Sequence, residues 1–431
     1  MPETAKTRWM SRNRSTATLT RINRERHYTC YGFDGDMMAG LSGGGHLAYY
    51  KEHGISPVNY DIRDLQAHLD RRDSLYRGLG LPAVAFRGCD VLEVAPGSGQ
   101  NSLYVAATMP THYDLVEPNP TAIKDIKSQF ANFELPHTAP VLWTTRLEEF
   151  EPQRRYDIVI CENWLGDLPH ELLLIRKLAD LVRPGGVLAM TLTPLIGLLP
   201  NMMRKLLALR LVSRDMPFAE KAARLTEVFG PHLQTIQNMT RSHRDWVMDC
   251  LLNPHYLNII LPIDAVIAEI GSRAEVLATV PRFYIDWRWF KSLLASERRF
   301  NASFHASYIR NLHNFVDYRR EFPARTAEEN QTLDSMCCDF RAAALSWLDV
   351  YNSAGGSNLV TAAEMIGRSI RRLGHQLGTI DPDLGVAFEE LCDVWEKPDL
   401  DGESVAAMAH FKGLFGRETV YISLVIDGAA T

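Results

Sequence analysis

The segment DVLEVAPGSGQNSLYVAA, which starts at Asp90, constrains the fold of this chain more than any other feature. The apolar run VLEV predicts a short buried strand, and a turn of small residues that contains Gly97 and Gly99 follows it. Residues 101–107 then have the pattern of a helix start. Glycines let the backbone approach a ligand closely, and the helix amides behind the turn favour a negative group. The same turn also suits a plain connection between a strand and a helix.

Three further segments repeat the alternation of strands and helices. YDLVEPNP is an apolar strand followed by Glu117, and YDIVICENW is a strand followed by Glu162 and Asn163. LADLVRPGGVLAMTLT, at 178–193, combines a helix end, a Pro-Gly-Gly turn and another apolar strand. Nearly continuous apolar strands are typical of parallel sheets that helices cover on both faces. The order therefore predicts an α/β, doubly wound, Rossmann-like sheet whose ligand site lies at the carboxyl ends of the strands.

This order resembles the class I S-adenosylmethionine methyltransferases over residues 89–193 and the C-terminal strand. The first motif of that family is an acid followed by alternating glycines. Glu93, Gly97 and Gly99 match it, and Ala95 stands where the first glycine is usual. The resemblance implies S-adenosyl-L-methionine as cofactor and S-adenosyl-L-homocysteine as its product, with the glycines beside the methionine moiety.

The resemblance also implies roles for the following strand ends. Glu117 would hold the ribose, and Leu147 would pack on the adenine, although Arg146 stands where the family often has an acid. A nicotinamide dinucleotide fold is disfavoured because its third glycine would fall at Ser102. The cofactor-binding residues that we predict are Glu93, Ala95, Gly97, Gly99, Glu117, Pro118, Arg146, Leu147, Glu162 and Asn163.

Composition excludes several classes of function. The net charge of −6 disfavours a general nucleic-acid binder, and no run of about 18 apolar residues predicts a membrane span. Seven scattered cysteines without a CxxC pair indicate reduced thiols and a cytoplasmic protein, and no ligand spacing demands a metal. Residues 1–28 form a basic arm that suits a solvated tail, a mobile tail that folds over an anionic ligand, or an organelle transit peptide. The glycine-rich stretch at 28–46 suits either a mobile lid or a plain loop.

The expected last strands come late in the chain, so two long insertions with helical periodicity interrupt the fold. They would roof an acceptor pocket or form the interface of a homo-oligomer, and both roles stay open. The predicted organisation is an N-terminal arm and cap helices at 1–88, a cofactor-binding core at 89–193, a helical insertion at 194–262, a core helix and sixth strand at 263–280, a second insertion at 281–412 and a seventh strand at 413–431.

The loop after the fourth strand is the first place to look for acceptor chemistry. His170 can act as a general base because the unperturbed pKa of histidine lies near neutrality, and Asp167 suits a cap of the next helix. Substrate contacts are expected from Trp164, Tyr256, Tyr284 and Asp286.

The sequence thus predicts a methyltransferase that acts on a small or medium-sized metabolite, with oxygen as the favoured acceptor atom. A non-catalytic subunit of the same fold, which binds the cofactor or a partner protein, is the alternative. Methylation of nucleic acid is disfavoured because no Asn/Asp-Pro-Pro-Tyr/Phe motif follows the fourth strand.

Overall fold

The computed structural model describes residues 45–293, 300–353 and 358–427. A seven-stranded sheet with the order β3-β2-β1-β4-β5-β7-β6 lies at its centre. The basic arm and the glycine-rich stretch lie outside the described residues, apart from Gly45 and His46. The strands are β1 (Asp90–Val94), β2 (His112–Val116), β3 (Val141–Trp143), β4 (Tyr156–Cys161), β5 (Val182–Leu192), β6 (Ala274–Val280) and β7 (Val420–Ile426).

The pairing of the strands determines where a ligand can bind. Strands β1 to β5 pair in parallel, whereas β7 runs antiparallel to both β5 and β6. Leu192 at the end of β5 is opposite Val420 at the start of β7. The residues just before β7 therefore lie at the same edge as the carboxyl ends of the parallel strands. The expected Pro-Gly-Gly turn is part of β5, at a register shift against β4.

Fifteen α-helices lie among the described residues. Residues 247–252 continue the ninth as a π-helix. The helices are α1 (Gly45–His53), α2 (Leu65–Gly78), α3 (Ala83–Phe86), α4 (Ser102–Ala107), α5 (Pro120–Ala131), α6 (Pro169–Leu181), α7 (Leu195–Leu211), α8 (Phe218–Leu233), α9 (His243–Trp246), α10 (Ile263–Ile270), α11 (Phe300–Asn311), α12 (Ala327–Asn352), α13 (Leu359–Gly378), α14 (Pro382–Trp395) and α15 (Gly402–Ala406).

Helix α7 of the first insertion is buried on almost every side. It contains Pro200 in its interior, and it carries two buried basic side chains, Arg204 and Lys205. The ammonium group of Lys205 donates to the carbonyls of Leu251 and Asn253, at 2.8 and 2.7 Å. Buried polar groups need such partners. The insertion is therefore part of the core, and its first helix lies under the ligand edge of the sheet.

The second insertion packs on the sheet domain through the same continuous apolar core. Helix α12 also reaches the loop after β4, where Arg341 donates to Asp167 at 3.0 and 3.3 Å. The prediction that Asp167 caps α6 is wrong, because the cap position is Leu168 and no side chain bonds there. Asp167 instead forms a buried ion pair with a residue 174 positions away.

The aromatic segment after β6 packs on the rest of the protein only in part. Trp287 is 89% exposed and Phe290 is 72% exposed. Tyr284 packs on Phe304 with ring centroids 4.4 Å apart, and Asp286 pairs with Arg288 at 2.6 Å. Phe283 and Tyr284 pack against the core whereas Trp289 is exposed as well, so only some of the aromatic rings of this segment reach the core.

Among the described residues, no helix is both long enough and apolar enough to cross a lipid bilayer.

Candidate functional site

A cavity of about 280 Å³ opens at the carboxyl edge of the sheet. The ends of β1, β2 and β4 and the residues before β7 form its floor, while residues 46–60 and the first insertion cover it. Ligand sites of open α/β sheets occur at this edge. Nine of the predicted cofactor residues line the cavity, namely Glu93, Ala95, Gly97, Glu117, Pro118, Arg146, Leu147, Glu162 and Asn163.

The turn after β1 has the tight backbone conformation that its small residues predict. Ala95, Gly97 and Gly99 all have positive φ angles, of 56°, 58° and 77°. A Cβ on Gly97 would lie 3.0 Å from the carbonyl oxygen of Pro57, in the cover of the cavity. Gly99, the tenth predicted cofactor residue, does not line the cavity. A Cβ there would lie 2.8 Å from Ile126, so this glycine permits close packing of the turn on α5.

Glu117 follows β2 and is 4% exposed. Its carboxylate accepts hydrogen bonds from the backbone amides of Gly97, at 3.2 Å, and Asn119, at 2.8 Å. Asn119 caps α5, so the local sequence fixes the direction of this acid. Burial raises the pKa of Glu117 to about 7, against the effect of the two amides. An ionised carboxylate has about four acceptor positions, so two remain for the hydroxyls of a ribose.

Two further acids lie at the ends of β1 and β4. Glu93 accepts a hydrogen bond from the hydroxyl of Tyr113, and burial raises the pKa of Glu93 to about 7. Glu162 is held by Arg72 at 2.5 Å and by the hydroxyl of Tyr76 at 3.1 Å. Both partners of Glu162 belong to α2. That helix belongs to the predicted cap region at 1–88, and it holds the acid at the end of β4 in place.

Asn163 and the loop after it form the next part of the wall. Asn163 has a φ of 53°, and its backbone amide donates to the hydroxyl of Thr191 at 2.7 Å. Trp164 and His170 line the cavity as well. Burial lowers the pKa of His170, and its nearest carboxylate is Glu171 at 3.8 Å.

A polar bay, defined here as Tyr50, Arg241, Asp249, Tyr256 and Glu418, occupies the other part of the cavity lining. Both oxygens of Asp249 are engaged, one by the hydroxyl of Tyr50 and one by Arg241, each at 2.7 Å. The hydroxyl of Tyr256 donates to Oε2 of Glu418 at 2.7 Å. Tyr256 was the only predicted member of this bay.

Arg241 and Asp249 were missed because a helical insertion carries no motif that indicates which side chains face a cavity, and Tyr50 and Glu418 were missed as well. Tyr284 and Asp286, the remaining predicted substrate contacts, do not line the cavity. The many aromatic residues of their segment did not indicate which side chains would face the cavity.

Residues 46–60, which we call the cover segment, are tied to the glycine turn. The side chain of Gln100 accepts from the amide of Tyr60 at 2.6 Å and donates to its carbonyl at 2.8 Å. Ser98 donates to the carbonyl of Val58 at 3.0 Å. These contacts place the cover directly over the end of β1. Among the described residues, no group of three or more His, Cys, Asp or Glu side chains is arranged to hold a metal ion.

Residues 92–188 match the family model described as a methyltransferase domain. The seven-stranded sheet with its antiparallel last strand confirms the predicted α/β, Rossmann-like fold, and the matched segment lies within the predicted core at 89–193. A methyltransferase domain implies S-adenosylmethionine as cofactor. No curated protein matches the chain.

Solved structures resemble parts of the chain. The N-methyltransferase NodS from Bradyrhizobium japonicum, in complex with S-adenosylhomocysteine, is 16% identical over 28% of this chain and 60% of that one, with a TM-score of 0.24. CalS10, an amino pentose methyltransferase from Micromonospora echinaspora, is 19% identical over 29% of this chain and 49% of that one, with a TM-score of 0.23.

A third structure is an S-adenosylmethionine-dependent methyltransferase from Clostridium acetobutylicum. It is 14% identical over 35% of this chain and 58% of that one, with a TM-score of 0.26. The chain therefore spans between 49% and 60% of the length of these three structures.

Proposed function

We propose that the chain is an enzyme that transfers the methyl group of S-adenosylmethionine to a small or medium-sized molecule in the cytoplasm. The observation that carries the proposal is the pairing of Glu117 with the amide of Gly97 inside a cavity at the carboxyl edge of the sheet. This arrangement fits the cofactor, because Glu117 keeps acceptor positions for the ribose and the turn leaves its backbone open. Leu147, which is 2% exposed, offers an apolar contact for the adenine.

The bound cofactor supplies an electrophilic methyl group. The residues of this chain have to orient the acceptor, exclude water and take up a proton. The polar bay supports an acceptor that forms hydrogen bonds, and we propose an oxygen atom as the methylated position. The cover segment supports the exclusion of water from the cavity, because its residues Tyr60 and Val58 are hydrogen-bonded to the turn after β1.

The location and assembly of the protein belong to the same proposal. Within the described part of the chain, the six cysteines are free, which supports a reducing compartment. The exposed side chains of the second insertion, such as Trp287, support contacts with another copy of the chain.

The test is transfer of labelled methyl groups from S-adenosylmethionine to a small-molecule extract of the source organism. We expect labelled small molecules with the wild-type protein and none with Gly97→Val. Gly88→Val is the matched control, because Gly88 also has a positive φ but lies outside the cavity with no atom within 4 Å of an added Cβ, and this variant should retain transfer. Binding of the cofactor without transfer to any fraction, together with a stable protein partner, would instead support the non-catalytic subunit.

A further inference from the structure

Glu418 lies at the position where the sheet edge, the first insertion and the cavity meet. It comes two residues before β7, whose first residue pairs with the last residue of β5. The neighbouring Thr419 contacts Asn163 through its hydroxyl, at 3.5 Å from Oδ1. Glu418 is therefore beside the loop after β4, where the sequence predicts the acceptor chemistry.

The carboxylate of Glu418 is held in one orientation by two donors on the same oxygen. Oε2 accepts from the hydroxyl of Tyr256 at 2.7 Å and from the side-chain amide of Asn201 at 2.6 Å. Oε1 accepts no hydrogen bond from the described residues. A carboxylate fixed through one oxygen, in the lining of a cavity, presents the other oxygen to a ligand.

The surroundings of Glu418 make its carboxyl group harder to ionise than that of an exposed glutamate. Burial raises the pKa of Glu418, against the hydrogen bonds from Tyr256 and Asn201. Arg241 lowers the pKa of Glu418 and Asp249 raises it, and these two residues form an ion pair with each other at 2.7 Å. The thiol of Cys250, whose own pKa is raised by burial, is not charged.

A further positively charged side chain, that of Arg204, contacts one of the hydrogen-bond donors of Glu418. Arg204 is fully buried and reaches Asn201 at 3.4 Å, while its Nη2 donates to two backbone carbonyls. Arg204 therefore influences Glu418 through Asn201 without contacting its carboxylate. A carboxyl group with a raised pKa is a stronger base than an exposed one, and general bases are most effective when their pKa is near the working pH.

Three other titratable residues of the cavity are less suited to take a proton from an acceptor. Both oxygens of Asp249 are occupied. Glu171 accepts from the amide of Gly166 at 2.8 Å and so is tied to its own loop. The side chain of His170 is 34% exposed, which leaves it accessible to water.

We propose that Glu418 is the general base that removes the proton from the acceptor hydroxyl during methyl transfer. This inference rests on the proposed function. The acceptor O–H bond breaks and its proton moves to Oε1 of Glu418. The electron pair of that bond stays on the oxygen, which forms the new C–O bond as the C–S bond of the sulfonium breaks and leaves its pair on sulfur. Tyr256 and Asn201 act as positioning residues.

The experiment measures initial rates of labelled methyl transfer from S-adenosylmethionine to the small-molecule extract between pH 5.5 and 9. Wild type is compared with Glu418→Gln, Glu418→Asp and His170→Ala, and with Glu389→Gln as control. Glu389 has the same charge as Glu418 and lies exposed on α14, away from the cavity. Calorimetric titration with S-adenosylhomocysteine establishes that each variant is folded and that its cofactor site is intact.

We expect the wild-type rate to rise with pH to a plateau, because only ionised Glu418 accepts the proton. Glu418→Gln should lower the plateau rate by about 100-fold or more, remove this rise and leave the affinity for S-adenosylhomocysteine within twofold. Glu418→Asp should keep a reduced rate and the rise with pH.

A Glu418→Gln rate within threefold of wild type, or a loss of the pH dependence in His170→Ala alone, would overturn the inference while the proposed function stands. Absence of transfer by the wild-type protein would overturn both.

Discussion

Removal of Asp167 should destabilise the protein strongly, although this residue is not proposed to take part in the chemistry. The side chains of Asp167 and Arg341 are 0% and 4% exposed, so neither charge reaches water. Asp167→Ala leaves the guanidinium of Arg341 buried without its carboxylate, and such a loss typically costs about 3–5 kcal/mol. The total stability of a domain is about 5–15 kcal/mol, so this loss is a large fraction of it.

The double variant Asp167→Ala/Arg341→Met separates the charge effect from simple loss of contacts. Replacing both members of a buried ion pair by apolar groups is often neutral, so the double variant should be more stable than Asp167→Ala alone. The control is Asp339→Ala. Asp339 lies on α12, as Arg341 does, and it pairs with Arg372 of α13. That pair is 58% and 66% exposed, and its loss should change the free energy of unfolding by less than about 1 kcal/mol.

The assay is urea unfolding followed by circular dichroism and tryptophan fluorescence, with the free energy of unfolding as the result. A loss of less than 1 kcal/mol in Asp167→Ala, or a double variant less stable than that single variant, would refute this reasoning. In that case the second insertion would not be fastened to the loop after β4 through this ion pair.

Three further predictions concern the cavity. Gly97→Val should abolish calorimetric binding of S-adenosylhomocysteine, because a Cβ there would lie 3.0 Å from the carbonyl of Pro57 and the φ of 58° disfavours a branched side chain. Affinity for S-adenosylhomocysteine should fall by up to about tenfold per pH unit below pH 7, since burial raises the pKa of Glu117 to about 7 and the ribose hydroxyls bind its ionised form. Glu117→Gln should lose this pH dependence, although Glu93, whose pKa is raised to the same range, is still present. An unchanged pH profile in Glu117→Gln would exclude Glu117 as the source of the dependence. Backbone amides of the cover segment should exchange hydrogen more slowly once S-adenosylhomocysteine is bound. Equal exchange with and without the ligand would contradict its role as a cover of the cavity.

The sequence was sufficient to predict the sheet because the signals for its strands are local. Apolar runs bounded by small residues indicated β1, β4 and β5, and the β-branched segment near the C-terminus indicated β7. Glu117 was identifiable as well, because it follows a strand directly and precedes a helix that starts with Pro120.

The remaining parts of the site depend on tertiary structure. Arg241 and Asp249 come from a helical insertion, in which periodicity predicts a helix without indicating the neighbours of each face. Asp167 had a plausible local partner in the next helix, but its partner in the fold is Arg341, far along the chain. Glu418 is an intermediate case, because an acid just before an antiparallel last strand has to lie at the ligand edge of the sheet.

The most direct test of the central claim is calorimetric titration of S-adenosylhomocysteine into the wild-type protein and Glu117→Ala in parallel. Glu117 accepts from two backbone amides and is proposed to accept from two ribose hydroxyls, and a hydrogen bond to a charged group contributes about 1.5–3 kcal/mol. We predict binding of one equivalent in the micromolar range by the wild type and at least a tenfold weaker affinity for Glu117→Ala. No heat of binding with the wild-type protein, or equal affinity of both proteins, would contradict the claim that this cavity holds the cofactor.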